Sequence, residues 1–414
     1  MAVETLAWPN EGNARVPYRV FADPDIHRAE LDRIFLGPTW QYLALDNELP
    51  EPGDYKTTFV GETPVIVTRS ADGDIHAMVN RCVHRGNLVC LKQRGHSDDG
   101  LTCVYHSWRY DLAGNLTSVA FRRGVGGKGG MPEDFRIEEH GLKKLRTDRF
   151  AGLVFGTLSP EAPPLSDYIG NMIGARIGRV MRGRPKILGT TSQILHNNWK
   201  LYLENVKDTY HASLLHTFFT TFRLNRLTSK GGVAIAEGGA HHASYSFGGE
   251  RGDDRSSDRA YSDIHSLHED YRLRDPRFLD AVDEIGDGVT LQILSVFPNF
   301  VLQQIHNSLA LRLVLPKGPD ETELQWTYFG FEDDNPAMTE RRLQQANLVG
   351  PAGYVSMEDG AVGGFVQRAI QGGEGERDCS RIEMGGFGHE SQEGRATEAS
   401  VRGFWHTWRG LMGL

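Results

Sequence analysis

The sequence predicts an α+β protein, in which an all-β N-terminal domain precedes a larger domain built from an antiparallel sheet with helices packed on it. Residues 57–80 alternate between β-rich runs and short turns, which is typical of a small β-domain. Three longer apolar runs, at 289–297, 300–316 and 323–332, are separated by short turns and predict adjacent antiparallel strands. The 414 residues suffice for two hydrophobic cores.

Composition and charge exclude several classes of partner. The formal net charge is −9 and no Lys/Arg block offers the basic surface that phosphates require, so nucleic acid is not expected as a partner. No signal-peptide pattern and no apolar span of about 18 residues is present, so we expect no membrane association and a cytoplasmic location. Cys90 and Cys379 lie in unlike sequence contexts, and no disulfide is expected between them in a reducing compartment.

Residues 1–38 form a predicted helical lead-in. Asp23 and Pro24 are typical of a helix start, and apolar side chains follow an approximate helical period from Ile26 to Phe35. We expect this helix to pack on the C-terminal domain, because its apolar side needs a partner.

Residues 39–160 contain a pattern of cysteines and histidines that indicates a metal site. Cys82 and His84 form a C-x-H arm, and after eighteen intervening residues Cys103 and His106 form a C-x-x-H arm. In a Rieske [2Fe-2S] centre two cysteines hold one iron and two histidines hold the other, which suits arms that each contain both residue types. Structural zinc is the alternative, although zinc sites usually pair cysteine with cysteine and histidine with histidine along the chain.

Residues 198–216 are predicted to be helical and to hold a second metal. The stretch contains these candidate residues: Trp199, Glu204, Asp208, His211 and His216. Two imidazoles and one carboxylate on one side suit a mononuclear Fe(II) that leaves other positions open for O2. Five helical residues turn His216 about 140° away from His211, so a bend or helix end is expected between them. Asp208 and His211, three residues apart, share a helix face and can hydrogen-bond.

Two other patterns are weaker. Residues 124–130, GVGGKGG, contain a formal G-x-G-x-x-G, but no clear strand leads into it and no helix follows, so a surface loop is predicted. His241 and His242 are predicted to lie in a loop without a carboxylate partner and are left unassigned.

No flavin or nicotinamide site is expected in this chain. Electrons must therefore come from another protein.

The C-terminal part adds two predicted helices to the sheet. Asn335 and Pro336 are typical of an N-cap and a first helical residue, so a helix is predicted up to about residue 349. A last helix is predicted at about 392–412 and should pack on the sheet, with one apolar stripe formed by Val401, Trp405, Trp408 and Met412.

The motifs together resemble the α (large) subunits of Rieske non-haem iron aromatic-ring-hydroxylating oxygenases, nearly from end to end. The resemblance is carried by CVHRG and CVYHSW for the cluster, and by NNWKLYLENVKDTYHASLLH and SMEDG for the iron. It implies one Rieske [2Fe-2S] cluster and one Fe(II) per chain, with the iron held by His211, His216 and Asp359. From the residues alone, Glu358 is as plausible a ligand as Asp359. The implied lead-in, Rieske domain and helix-grip-like catalytic domain span 1–38, 39–160 and 161–414.

The resemblance also implies how electrons reach the iron. In the family a head-to-tail trimer brings the cluster of one subunit beside the iron of the next. Asp208 matches the family's bridge between a cluster histidine of the neighbouring subunit, here His106, and the iron ligand His211. A solvated helix carboxylate is the alternative for Asp208. The expected partners are a small β subunit in an α3β3 assembly and a separate NAD(P)H-dependent reductase, with a ferredoxin as a further option.

The expected substrates are O2 and an aromatic carboxylate. Arg312 projects from a predicted strand beside small apolar residues and Arg395 lies near the predicted last helix, so each is a candidate for a bidentate carboxylate contact, with a surface or interface salt bridge as the alternative. Phe218, Phe219 and Ile293 are candidates for the apolar wall. Several stretches most resemble large subunits that cis-dihydroxylate terephthalate, while relatives acting on salicylate, anthranilate or halobenzoates share much of the pattern.

A protein of another class also fits part of the pattern. A Rieske electron carrier without oxygenase activity needs the four cluster residues but not the second iron. The long C-terminal domain argues against this alternative.

Overall fold

The computed structural model describes residues 6–248, 255–371 and 378–414. The chain divides into two compact units, one formed by Phe35–Leu165 and the other by Met1–Ile34 together with Ser166–Leu414. The N-terminal segment thus belongs to the same unit as the C-terminal part. It contains strand β1 (Arg15–Pro17), which pairs with Cys379–Arg381, and helix α1 (Pro24–Glu30). The Asp23 carboxylate accepts hydrogen bonds from the first N–H groups of α1, which explains why the helix begins there.

The unit formed by Phe35–Leu165 is all-β, as predicted. Its strands are β2 (Gln41–Leu45), β3 (Asp54–Val60), β4 (Thr63–Arg69), β5 (Ile75–Val79), β6 (Arg94–His96), β7 (Leu101–Thr102), β8 (Arg109–Tyr110), β9 (Leu116–Ser118), β10 (Lys144–Phe150) and β11 (Leu153–Thr157). A seven-stranded sheet has the order β2-β11-β10-β5-β4-β3-β6, and a smaller sheet joins β7, β8 and β9. Residues 124–130 form a turn rather than a strand–helix junction, which confirms the predicted loop.

The other unit is an antiparallel sheet with packed helices, as predicted. Its remaining elements are α2 (Leu165–Val180), β12 (Pro185–Leu195), α3 (Trp199–Lys207), α4 (Ala212–Leu215), α5 (Thr217–Thr221), β13 (Gly231–Ile235), β14 (His242–Phe247), α6 (Arg255–Tyr261), β15 (Val289–Val296), β16 (Phe300–Ile305), β17 (Ser308–Pro316), β18 (Thr322–Phe331), α7 (Pro336–Val349), α8 (Tyr354–Ile370), β19 (Cys379–Arg381), β20 (Gln392–Glu393) and α9 (Ala399–Met412). Eight strands pair in the order β12-β18-β17-β16-β15-β14-β13-β20.

Several sequence predictions for this unit are confirmed. The three apolar runs form β15 to β18, and the 300–316 run divides into two strands at a turn that includes His306 and Asn307. The Asn335 side chain accepts a hydrogen bond from the Met338 N–H, 2.9 Å away, and α7 starts at Pro336. Among the described residues, no helix combines the length and the apolar character that crossing a bilayer requires.

The predicted start of the last helix is wrong. Residues 392–393 form the edge strand β20, paired with β13, and α9 begins only at Ala399. Gly394 has φ +133° and so interrupts any helix, and the Thr397 hydroxyl accepts a hydrogen bond from the Ala399 N–H at the new start. The predicted apolar stripe is confirmed, since Val401, Trp405, Trp408 and Met412 are all buried.

His241 and His242 were predicted to lie in a loop; His241 does, whereas His242 belongs to a strand, and both are buried. His241 Nε2 lies 2.7 Å from the Tyr168 carbonyl oxygen, and Nδ1 accepts a hydrogen bond from the Phe297 N–H, so both ring nitrogens are used by the fold. Burial lowers the pKa of His241 to about 4, and the ring is neutral at pH 7. His242 is the first residue of β14, and its Nδ1 lies 2.8 Å from Ser295 Oγ. The alternation of polar and apolar residues did not predict this burial, because the two histidines lie at the junction of a turn and a strand.

A buried carboxylate attaches α1 to the helices of its own unit. Glu30 is inaccessible to solvent and accepts hydrogen bonds from the indole N–H groups of Trp199 and Trp408, each 2.8 Å away. The buried Lys200 ammonium lies 2.7 Å from the same carboxylate and balances its charge. Removing one member of a buried pair leaves the other charge uncompensated, which costs about 3–5 kcal/mol.

We therefore expect Glu30→Ala to lower the free energy of unfolding by about 3–5 kcal/mol and to lower the melting temperature clearly. Asp25→Asn on the same helix is the control, because Asp25 pairs with Arg28 in an exposed position and should matter little. Thermal and urea unfolding would measure both variants. Equal melting temperatures for the two variants would show that the Glu30 cluster does not hold the segment in place.

Candidate metal centres and cavity

Two loops of the all-β unit present the predicted cluster residues. One loop follows β5 and carries Cys82 and His84, and the other joins β7 to β8 and carries Cys103 and His106. Each loop is closed by a backbone hydrogen bond to a cysteine carbonyl, from Gly86 N–H at 2.9 Å and from Ser107 N–H at 3.0 Å. These turns hold a cysteine and a histidine of each arm on the same loop.

The four side chains differ in burial in the way an asymmetric cluster requires. The cysteines are buried, whereas His84 is exposed and His106 is half-buried, and the two imidazole centroids lie 4.4 Å apart. Two buried thiols beside two outward imidazoles fit a [2Fe-2S] centre whose histidine iron lies nearer the surface. The Tyr110 hydroxyl lies 3.1 Å from Cys82 Sγ, and a hydrogen bond to a ligand sulfur is one of the features that set the potential of such a centre.

The iron-site stretch is not one helix, contrary to the prediction for residues 198–216. Helix α3 ends at Lys207, and the Asp208 carboxylate accepts a hydrogen bond from the Tyr210 N–H, 2.7 Å away, which forms a turn. The short helix α4 follows His211 and ends at Leu215, and the backbone of the next residue, His216, is extended. The helix end that was expected between the histidines is thus confirmed, and it allows both rings to point to one place.

His211, His216 and Asp359 bring their ligand atoms together. One donor atom from each lies within 4.8 Å of the others, and Asp359 Oδ1 is 3.5 Å from His211 Nε2 and 3.3 Å from His216 Nε2. Ligand atoms that are each about 2.1 Å from one ion, at right angles, would be about 3 Å apart, so the three atoms fit one metal. Two imidazoles and one carboxylate are the donor set of mononuclear Fe(II) oxygenases. The Asn205 amide donates to Asp359 Oδ1 at 3.0 Å.

Each of these histidines also contacts a second carboxylate through Nδ1. Asp208 Oδ2 lies 3.2 Å from Nδ1 of His211, and Glu358 Oε2 lies 2.7 Å from Nδ1 of His216. Burial alone would lower the pKa of His211, but Asp208 and Asp359 outweigh burial and raise it to about 10. A carboxylate at Nδ1 fixes the tautomer and turns Nε2 toward a metal. The geometry therefore separates the two neighbouring acids, with Asp359 facing Nε2 and Glu358 facing Nδ1.

Glu204 and Trp199 lie outside this donor group. Glu204 is half-buried on α3 and accepts a hydrogen bond from the Trp405 indole N–H, 2.5 Å away. Burial raises the pKa of Glu204 to about 8, so the side chain is mostly a neutral acid at pH 7. Trp199 donates to Glu30 in the cluster described above.

The chain matches two known families over most of its length. Residues 39–125 match the Rieske [2Fe-2S] domain, and residues 185–413 match the catalytic domain described as ring hydroxylating alpha subunit. The chain therefore belongs to the Rieske non-haem iron ring-hydroxylating oxygenases. It is an α subunit of this family, an oxidoreductase with one Rieske [2Fe-2S] cluster and one mononuclear iron.

This chain is also similar to individual members of the family. It is 53% identical to the α 2 subunit of the terminal oxygenase component of terephthalate 1,2-dioxygenase from Comamonas sp., over 100% of this chain and 99% of the relative. It is 47% identical to the anthranilate 1,2-dioxygenase large subunit of Burkholderia cepacia, over 98% and 95%. Naphthalene 1,2-dioxygenase from Rhodococcus sp. bound to indole has the same fold, with a TM-score of 0.80 and 24% identity over 96% of this chain and 94% of that one.

A cavity opens beside the three iron-ligand candidates of the oxygenase. Its apolar wall includes Phe219 and Ile293, two of the predicted wall residues, together with Leu291 and Ile305. The third, Phe218, is not among the lining residues of the described chain and packs on Phe222, with ring centroids 4.8 Å apart. Both predicted arginines line the cavity, although Arg395 precedes α9 instead of lying within it.

Several polar residues of the cavity were missed by sequence reasoning. Asn205, Gln303 and Trp326 all line it. Gln303 and Trp326 could have been found from strand alternation, because they lie on the same face of the sheet as Arg312, but only with the strand register known. Asn205 lies six residues before His211, and the helix end between them removes any simple periodicity.

The geometry predicts different effects for the two adjacent acids. Asp359→Ala should abolish retention of the mononuclear iron, because the carboxylate that faces both Nε2 atoms is removed. Glu358→Gln should retain iron but weaken its affinity roughly 10- to 100-fold, as expected for an orienting carboxylate. Anaerobic iron titration against a competing chelator would measure both affinities, and the Rieske spectrum serves as an internal control. The opposite pattern would make Glu358 the ligand.

Proposed function

We propose that this α subunit cis-dihydroxylates an aromatic dicarboxylate of the terephthalate type. Two guanidinium groups in the cavity carry this proposal. Arg312 and Arg395 are 7% and 3% exposed, and neither forms an ion pair with a carboxylate among the described residues. An uncompensated buried cation is costly, so an anionic ligand is the natural partner of each.

Neutral groups hold both arginines in place. Arg312 Nη1 donates to the Tyr202 hydroxyl at 2.8 Å, Nη2 donates to Gln303, and the guanidinium stacks on the Trp326 ring with its carbon 4.5 Å from the ring centroid. Arg395 Nη1 donates to the Arg226 carbonyl at 2.8 Å. Burial lowers the pKa of Arg395 to about 10, and the side chain stays charged at neutral pH. Two fixed charges in one cavity suit a substrate with two carboxylates, whose ring lies against the apolar wall.

The side chains around the iron have a positioning role in this reaction. When bound, the mononuclear iron supplies O2 activation and the cluster supplies electrons one at a time. The proposed reaction places both atoms of O2 on the carboxyl-bearing carbon and its neighbour, and two electrons and two protons complete the dihydrodiol. The arginines would fix which edge of the ring faces the iron ligands, and the apolar wall would exclude water.

Asp208 is proposed to join neighbouring subunits. Its carboxylate contacts His211 and is partly exposed, so it can also accept a hydrogen bond from His106 of an adjacent copy in a head-to-tail trimer. We further propose an α3β3 assembly that works in the cytoplasm and receives electrons from a separate NAD(P)H-dependent reductase, directly or through a ferredoxin. The name of the Comamonas relative, a terminal oxygenase component, supports a multicomponent system.

Action on a monocarboxylate is the second candidate. It is favoured by the 47% identity to an anthranilate 1,2-dioxygenase large subunit, and salicylate or halobenzoates would fit the same chemistry. A monocarboxylate needs only one of the two arginines. A simple Rieske electron carrier is disfavoured, because residues 185–413 match the catalytic domain and bring together a complete iron donor set.

Substitution of each arginine should distinguish action on a dicarboxylate from action on a monocarboxylate. Losing a hydrogen bond between charged groups costs about 1.5–3 kcal/mol, which corresponds to roughly 10- to 150-fold in affinity. Arg312→Met and Arg395→Met should therefore each weaken terephthalate binding by that factor, measured as KM and as Kd under anaerobic conditions. For benzoate, anthranilate and salicylate only one of the two variants should have this effect. Unchanged terephthalate affinity in both variants would contradict the proposal.

Substitution of Asp208 should show whether this residue is needed for electron transfer between subunits and not for metal binding. Asp208→Asn should keep both metals and a reducible cluster yet lose most turnover, because the bridge between His106 and His211 loses its charge. Iron content, the Rieske spectrum and reductase-coupled product formation would be measured together. Asp263→Asn, an exposed acid of the same unit, is the control. Normal coupled turnover in Asp208→Asn would rule out the bridging role.

A further inference from the structure

Three adjacent strands place a glutamine, an arginine and a tryptophan side by side in the cavity wall. Arg312 on β17 lies directly opposite Trp326 on β18 and opposite Val301 on β16. Gln303 lies two residues beyond Val301, and therefore on the same face of the sheet. All three polar side chains line the cavity, and they are only 1%, 7% and 1% exposed for Gln303, Arg312 and Trp326.

The hydrogen bond between Arg312 and Gln303 fixes the orientation of the amide. A guanidinium carries donors only, so the group that Gln303 turns toward Arg312 Nη2 must be its oxygen, Oε1. The Gln303 NH2 group is consequently turned away from the arginine. This Nε2 is buried and has no hydrogen-bond partner within the described chain.

Two further buried donors in this wall also lack a hydrogen-bond partner. Arg312 Nε and Trp326 Nε1 are buried, and in the part of the chain that the structure describes neither has a hydrogen-bond partner. A buried polar group without a partner costs about 1–3 kcal/mol, so three such groups together indicate a ligand. The wall at this point offers N–H donors and one positive charge. The complementary ligand group accepts hydrogen bonds and carries a negative charge, which describes a carboxylate.

We infer that Gln303 and Trp326 are specificity-determining residues, which form with Arg312 a three-donor subsite for one carboxylate of the substrate. This inference rests on the proposed function and extends it. The amide and indole N–H groups distinguish a carboxylate from a neutral group of the same shape, because an amide or ester presents fewer acceptor sites and no charge. The Arg312 subsite is then the anchor for monocarboxylates and dicarboxylates alike.

The test is ligand binding to the anaerobic, iron-loaded holoenzyme by isothermal titration calorimetry. Benzoate and terephthalate are compared with benzamide, the neutral analogue of benzoate. Gln303→Met removes the amide at nearly constant size, and Trp326→Phe keeps an aromatic ring while removing the N–H. Gln325→Met is the matched control, because Gln325 lies on β18 next to Trp326 and on the opposite face of the sheet. Equal iron content, Rieske spectrum and melting temperature show that each variant is folded.

We expect Gln303→Met and Trp326→Phe each to weaken benzoate binding roughly tenfold or more, with benzamide and the Gln325→Met control little changed. Gln303→Glu should be more severe, because the new carboxylate occupies Arg312 and repels the ligand. An unchanged benzoate-to-benzamide affinity ratio in both variants would overturn the subsite while leaving the proposed function intact. Failure of the unaltered enzyme to bind any aromatic carboxylate would instead overturn the proposed function.

Discussion

The half-buried carboxylate of Asp359, which lies between two imidazole rings, forms the contact on which the catalytic unit depends. Burial alone would raise the pKa of Asp359, yet the two histidines outweigh burial and hold this pKa far below its usual range. The carboxylate is therefore ionised and suits a bound cation. This contact requires α3 and α8 to meet closely. Gln367 Oε1 accepts a hydrogen bond from the Asn198 N–H at the start of α3, 2.8 Å away. A Cβ on Gly363 would lie 2.1 Å from the side-chain amide nitrogen of Asn197, so the buried Asn197 side chain would have to move to accept any larger residue.

The cavity combines the Asp359 anion with one cation on the facing sheet, Arg312. The strands that carry Arg312 and its neighbours are paired through regular antiparallel register, so the positions of the donors are fixed by the sheet itself. Arg395 lies outside the sheet, before α9, where Thr209 Oγ1 donates to its backbone carbonyl at 2.6 Å. Thr209 directly follows Asp208, so the backbone of Arg395 is held by the same turn that orients His211. The proposed carboxylate site at Arg395 and the candidate iron ligand His211 are therefore linked through a few residues.

Sequence reasoning found the candidate metal ligands because short loops impose their spacing on the chain. The Cys82 and Cys103 arms and the His211–His216 spacing are local features, and local geometry follows from them. The choice between Glu358 and Asp359 is different, since it depends on which side of α8 faces α3. Gln303 and Trp326 could not be predicted as cavity residues for a similar reason, because their proposed role depends on Arg312 in another strand. The start of α9 was missed because Gly394 and Thr397 outweigh a helical pattern that extends upstream of them.

Buried cations in this chain differ in what their burial implies. Lys200 has Glu30 as a partner, and its pair is structural. Lys207 has only neutral partners, among them Ser295 Oγ at 2.9 Å, and burial lowers its pKa to about 7, so this amine can lose its charge instead of needing an anion. A guanidinium cannot take that route at neutral pH, because its pKa is too high. An unpaired arginine that faces a cavity therefore indicates a ligand anion, whereas an unpaired lysine does not. This difference is why Arg312 and Arg395, and not Lys207, support the proposal of an anionic substrate.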